Sequence, residues 1–145
     1  MPDFTGSLID HLNIAVPDLP RSLTFYEPVL AVLGIVKLLE VPADPAAGQL
    51  EMHGFGRHPK PFFWLVADGA VGSNMHLAFT ADDRATVRAF YDAALAAGGR
   101  SLLEPGQRPE YHADYYGAFV LDPDGVNVEA VCHHPEQPSS TAPRP

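Results

Sequence analysis

Apolar and polar residues alternate from residue 9 to 16, around His11 and Asn13, and this period of two predicts a strand. The period then changes. Leu19, Leu23, Tyr26, Leu30 and Leu33 recur at spacings of four and three, which is one face of a helix. Asp18 is suited to cap its N-terminus, Pro20 falls in the first turn, and Gly34 closes it. Pro28 lies inside the pattern, so the regular helix is expected to kink or end near Tyr26. Strands follow at 35–41, 49–54 and 61–67, with a loop at 42–48. The second half reads in parallel. A strand at 74–81 leads to a helix capped by Asp82 or Asp83, with Val87, Phe90, Tyr91 and Ala94 inward and Gly98-Gly99 at its end. A short strand at 100–104 precedes a hairpin of 115–121 and 126–131, turning at Asp122-Pro123-Asp124-Gly125.

The parallel is a repeat. Shifting the chain by 65 positions brings His11 onto His76, Leu12 onto Leu77, Asp18 onto Asp83, Phe25-Tyr26 onto Phe90-Tyr91, Leu30 onto Leu95 and Gly34 onto Gly99, without a gap. Two copies of one supersecondary unit follow. Each reads as strand, helix and three strands, so the expected class is α+β: tandem βαβββ modules forming a cup-shaped mixed sheet with a shared inner face. The domain is expected over 1–133, with module one at about 7–68 and module two at about 74–133. Residues 134–145 are rich in Pro, Ser and Thr and read as a disordered tail.

Composition narrows the function. At 145 residues, 46% hydrophobic and 19% charged, the chain fits one ordinary globular domain. Eighteen acidic residues against nine basic ones give a net charge of -9, and the basic residues are scattered. That argues against nucleic acid and against an anionic membrane as partners, and leaves room for a small anionic substrate. No apolar run is long enough for a membrane span and no signal peptide is visible, so the cytoplasm is the expected location. Cys132 is the only cysteine, which excludes an internal disulfide and a cysteine-based zinc site.

Seven histidines are present, and the repeat singles out two. His11 and His76 occupy equivalent positions in equivalent strands, so a pseudo-twofold arrangement brings both toward its axis. Glu129 alternates with Val128 and Ala130 in an otherwise apolar strand, where a carboxylate needs an ionic partner or a metal. Two imidazoles and one carboxylate leave positions open on an ion, which is the arrangement of catalytic rather than structural sites.

The segments Asp10-His11-Leu12-Asn13-Ile14-Ala15-Val16, Asn74-Met75-His76-Leu77-Ala78-Phe79 and Tyr116 to Glu129, with its Asp-Pro-Asp-Gly turn, resemble the vicinal oxygen chelate superfamily. That superfamily includes glyoxalase I, bleomycin resistance proteins and extradiol dioxygenases. The resemblance runs from about Leu8 to Cys132 and implies paired βαβββ modules with His11, His76 and Glu129 as metal ligands. Glyoxalase I-like members commonly add a glutamate from the last strand of the first module. Here the position 65 residues before Glu129 is Trp64, which cannot ligate a metal through its N–H. The chain fits three-ligand members better, with Glu51 the one conceivable substitute. Strand alternation sets Asn13, Phe62 and Trp64 on the pocket face, although Phe62 and Trp64 read equally as core. A hairpin closing with Leu121 opposite Val126 would set Ala118 opposite Glu129 and Tyr116 on the same face. Tyr116 then reads as a substrate hydrogen-bonder or a packed aromatic, and His112 as a general base or an exposed loop residue. His53, His58, His133 and His134 read as non-functional.

The expected activity is that of an enzyme holding one divalent ion per chain and acting on a small substrate that chelates it through vicinal oxygens. Lyase, isomerase and dioxygenase chemistry all remain open. Zinc, manganese, iron, cobalt and nickel all suit the ligand set. The alternative is a metal-independent drug- or metabolite-binding protein of the bleomycin-resistance type. A homodimer is expected in either case.

Overall fold

The computed structural model describes Asp3 and residues 6–136, so most of the expected disordered tail lies outside the described residues. The first module runs β1 (Leu12–Ala15), α1 (Leu19–Val32), β2 (Val36–Val41), β3 (Met52–Arg57) and β4 (Lys60–Val66). The second runs β5 (His76–Thr80), α2 (Arg84–Ala96), β6 (Arg100–Gln107), β7 (Tyr116–Leu121) and β8 (Asn127–Cys132). Both helices start as their sequence demands. Asp18 accepts from the Arg21 amide at 3.1 Å, and Asp83 from the Thr86 amide at 2.7 Å, so each satisfies one orphaned N–H of a first turn. Gly34 and Gly98 follow the helix ends at φ 74° and 94°, the left-handed region glycine enters freely.

Of the two outcomes expected at Pro28, a kink or an end near Tyr26, the second does not occur: the first helix continues through Pro28 to Val32. Pro28 is on the exposed face, so the carbonyl it leaves without an intrahelical partner, that of Thr24, is on the solvent side, where water can satisfy it.

The strands form two four-stranded mixed sheets of the same topology, β1-β4-β3-β2 and β5-β8-β7-β6, which is the α+β tandem βαβββ fold. In each, the first strand pairs in parallel with the last, and the remaining pairs are antiparallel. The registers repeat as well: Asn13 lies opposite Trp64 in one sheet and Ala78 opposite Glu129 in the other. Alternation then divides each sheet. Ile14, Phe63 and Leu65 turn to the helix side of the first sheet, and Val120, Val128 and Ala130 to that of the second, and all join one buried core with Phe25, Tyr26, Leu30, Val87 and Phe90. The other face of each sheet is open.

The two halves meet through their covered faces. The ring of Phe63 stands edge-on to that of Phe79, 5.4 Å between centroids. Tyr26, fully buried in α1, donates its hydroxyl to Asp122 at 2.6 Å in the turn between β7 and β8, and Arg21 pairs with Asp124 in the same turn. Burial, reinforced by the Asp122 charge, pushes the Tyr26 hydroxyl's pKa well up, so it stays a donor. A cleft of about 410 Å³ remains between the β1 and β5 edges, bordered by His11, Leu12, Phe62 and Leu77 to Thr80. Among the described residues no helix is long and apolar enough to cross a membrane.

Candidate functional site

The open face of the second sheet carries the chemistry. Glu129, in the middle of β8, has Ala78 on one side and Phe119 on the other. Its side chain is 1% exposed, although it belongs to the open face. Two donors close over it. The His76 imidazole donates through Nε2 to Oε1 at 2.9 Å, and the Tyr115 hydroxyl donates to Oε2. Burial pushes the Glu129 carboxyl above its ordinary range, while the bonds from Tyr115 and His76 and the charge of Arg108 pull the other way. The Tyr115 hydroxyl is pushed up too, by burial first and then by the carboxylate it serves. Room for this pair comes from Gly117, where a Cβ would stand 2.9 Å from Oε2 of Glu129 and 3.3 Å from Cε1 of Tyr115.

The hairpin register differs from the sequence expectation by one residue. Leu121 lies opposite Asn127, not Val126. The cause is the turn: the Asp122 carboxylate accepts from the amides of both Asp124 and Val126, at 2.8 and 2.9 Å, and draws Val126 into the loop. A slip of one exchanges the faces of a strand. Ala118 therefore lies opposite Ala130 in the core, and Phe119 takes the position across from Glu129. Tyr116 turns to the helix side, where Arg88 donates to its hydroxyl at 3.3 Å and Arg84 lies 5.0 Å over its ring. Neither Ala118 nor Tyr116 faces Glu129. Tyr115, Gly117 and Phe119, none of them singled out from the sequence, do so, and a five-residue turn would have pointed to them. His112 bonds His133, Nε2 to Nδ1 at 2.9 Å, and the ring of Tyr115 packs against both imidazoles.

In the first module His11 stands on the equivalent open face. Its Nδ1 is held by Asp10 at 2.7 Å, and Asp10 is held in turn by Lys60 at 2.7 Å. The Lys60 bond, then the His11 bond, keep the Asp10 carboxyl below its ordinary range. That contact fixes one imidazole nitrogen and leaves Nε2 to a ligand, as a carboxylate does behind a metal-bound histidine. Asn13 and Trp64 share the face, and with His11, Met52, Lys60 and Pro61 they line a hollow of about 310 Å³. The indole of Trp64 lies across Gly54, where a Cβ would come within 2.7 Å of it. Phe62 borders the neighbouring cleft. Trp64 thus holds in the first sheet the place Glu129 holds in the second, and Glu51 is exposed ahead of β3.

A divalent ion can be tested against these residues. His76 and Glu129 converge, and an imidazole and a buried carboxylate are the right donor chemistry. His11, whose side chain is 55% exposed, is not part of that convergence, and among the described residues no three His, Cys, Asp or Glu side chains come together. One chain brings together two of the three expected ligands.

Residues 8–130 match the family model described as Glyoxalase/Bleomycin resistance protein/Dioxygenase superfamily. Among solved structures, a glyoxalase/bleomycin resistance protein from Albidiferax ferrireducens is 28% identical, with a TM-score of 0.71 over 87% of this chain and 99% of that one. A glyoxalase/bleomycin resistance protein/dioxygenase family enzyme from Burkholderia phytofirmans, 20% identical, gives 0.62 over 87% and 98%. Glyoxalase I from Zea mays, 23% identical, gives 0.66 over 90% of this chain and 46% of that one, so this chain spans about half its length. The last two likenesses are of fold alone. No curated protein sequence matches.

Proposed function

This chain belongs to the Glyoxalase/Bleomycin resistance protein/Dioxygenase superfamily, and we propose that it is a divalent-metal-dependent enzyme working as a homodimer on a small substrate with two neighbouring oxygens. The observation that carries this reading is the buried Glu129 carboxylate with the His76 imidazole aimed at it. A carboxylate in a strand between Val128 and Ala130 is costly unless it is paired or bound to a metal, and the donors that hold this one, an imidazole and a phenol, leave its charge for a cation to meet. A second copy supplies the missing ligand in this reading. His11 and the apolar Leu8 and Ile9 before it, 100% and 77% exposed, lie at the free β1 edge, where they can meet the open face of another chain's second sheet. Bound there, the ion would act as a Lewis acid on the substrate oxygens. The chain's own residues do the rest. Tyr115 holds the carboxylate, Asp10 turns His11, and Trp64, Asn13 and Phe62 of the second copy close the wall without adding a fourth ligand.

Mixing variants tests both parts. His11→Ala and Glu129→Ala homodimers should each bind no ion tightly. Unfolded together and refolded in equal amounts, they should recover roughly a quarter of the wild-type sites, because half the dimers are mixed and each has one intact site. No recovery would exclude a site shared between chains, and undiminished binding by Glu129→Ala would exclude the metal reading. If apo and metal-loaded protein bind the same aromatic ligand equally well, the bleomycin-resistance type of binding without metal takes its place.

A further inference from the structure

Arg108 is the unexplained charge of the open face. It follows β6, and its amide donates to the Tyr115 carbonyl at 2.8 Å, which continues the β6–β7 ladder and sets Arg108 on the same face as Gly117 and Glu129. Its guanidinium lies 5.9 Å over the ring of Phe119, which is in turn 5.8 Å from the ring of His76. Its charge acts on both Glu129 and Tyr115. Arg21 pairs with Asp124 and Arg84 with Glu136, while Arg57 and Arg88 spend their guanidinium groups on the Leu33 carbonyl and the Tyr116 hydroxyl, away from this face. Arg108 makes no ion pair among the described residues.

It is nevertheless held in place. One terminal nitrogen donates to the Glu104 carbonyl at 2.6 Å; the other reaches the Gln107 carbonyl at 3.5 Å and lies against Gly106, where a Cβ would come within 3.2 Å of it. Its Nε is closed off from solvent with no partner. A buried donor without a partner is unfavourable. Arg108 lies along the sheet beside the candidate site, held at its guanidinium, with terminal N–H groups to spare. A guanidinium so fixed offers two parallel donors to a carboxylate and loses little freedom on binding.

We propose that Arg108 anchors a carboxylate of the substrate, so that the site takes small chelating acids: two neighbouring oxygens at the His76–Glu129 end and a carboxylate at the Arg108 end. The inference rests on the metal reading above and adds the substrate class. It calls for two chelating probes that differ in one group, acetohydroxamic acid and the monohydroxamic acid of succinic acid. Binding to zinc-loaded protein is measured by calorimetry, for the wild type, Arg108→Gln and Arg108→Lys. Wild type should prefer the carboxylated probe by about ten- to a hundredfold, the range of a charge-assisted hydrogen-bonded pair. Arg108→Gln should abolish that preference and leave the neutral probe within about threefold, and Arg108→Lys should keep part of it. Equal binding of the two probes by the wild type, or equal loss of both in Arg108→Gln, would overturn the role of Arg108 alone. Zinc-loaded wild type that binds neither probe would instead overturn the metal reading.

Discussion

Gly117 gives the fit of the buried Glu129 carboxylate a measurable magnitude. Replacing it with alanine adds one methyl group, and the backbone permits it, since Gly117 does not sit at positive φ. The new Cβ would stand 2.9 Å from Glu129 Oε2, 3.3 Å from the Tyr115 ring and 3.5 Å from the Ala130 carbonyl. The carbonyl belongs to the sheet and the ring is packed between Tyr111 and His133, so the carboxylate must yield. Forcing a methyl group into a packed site costs about 1–3 kcal/mol. Exchanging glycine for alanine in a strand returns about 0.5–1 kcal/mol. The apoprotein should therefore lose about 0.5–2 kcal/mol in urea unfolding, with Tm lower by about 2–6 °C for a chain of this size. Metal affinity should fall by about tenfold or more, the usual effect of disturbing the groups behind a ligand.

A double-mutant cycle with Tyr115→Phe separates this mechanism from a general loss of packing. If the methyl group acts by displacing Glu129 from Tyr115, it has less to displace once the hydroxyl is gone. The two changes should couple by about 0.5 kcal/mol or more. Additive stability losses with metal affinity unchanged would refute the argument that Gly117 makes room for the Glu129–Tyr115 pair.

Two further changes probe the same scaffold. Burial holds the Glu129 carboxyl above its ordinary value of 4.5, so the folded apoprotein binds that proton more tightly than the unfolded chain. Stability from this group is full below pH 4.5 and is lost as pH rises through the raised value. Glu129→Gln cannot ionise, so melting curves should show the apo variant gaining on the wild type as pH rises from about 4 to about 8. A difference that stays constant over that range, or grows the other way, would remove the buried-carboxylate argument. Asp122→Ala would strand the Tyr26 hydroxyl and the amides of Asp124 and Val126 together. It should cost about 3 kcal/mol or more, read as a fall in the urea midpoint, and a fall equivalent to under about 1 kcal/mol would mean the turn is held by other contacts.

What the sequence made legible and what it hid divide along one physical line. Features fixed by near neighbours were readable: the caps Asp18 and Asp83, the glycines that end both helices, and the period that separates helix from strand. The repeat extended that reach, because two copies of one pattern must use their registers in the same way. The 65-residue offset that pairs His11 with His76 still holds at Trp64 and Glu129, at the far end of each module. Features fixed by distant partners were not readable. The continuation of the first helix past Pro28 depends on which face of it meets solvent, and the turn after β7 depends on Asp122, which Tyr26 holds from 96 residues away. The bonds that the Asp122 carboxylate accepts from the Asp124 and Val126 amides lengthen that turn, shift the hairpin by one residue and exchange Ala118 and Tyr116 for Phe119 and Tyr115 at the site. An apolar strand interrupted by Glu129 declares that a carboxylate there needs partners. Only the register names them, and it is set by whether the Asp122 side chain takes one residue more into the turn, which the alternation of apolar and polar positions does not reveal.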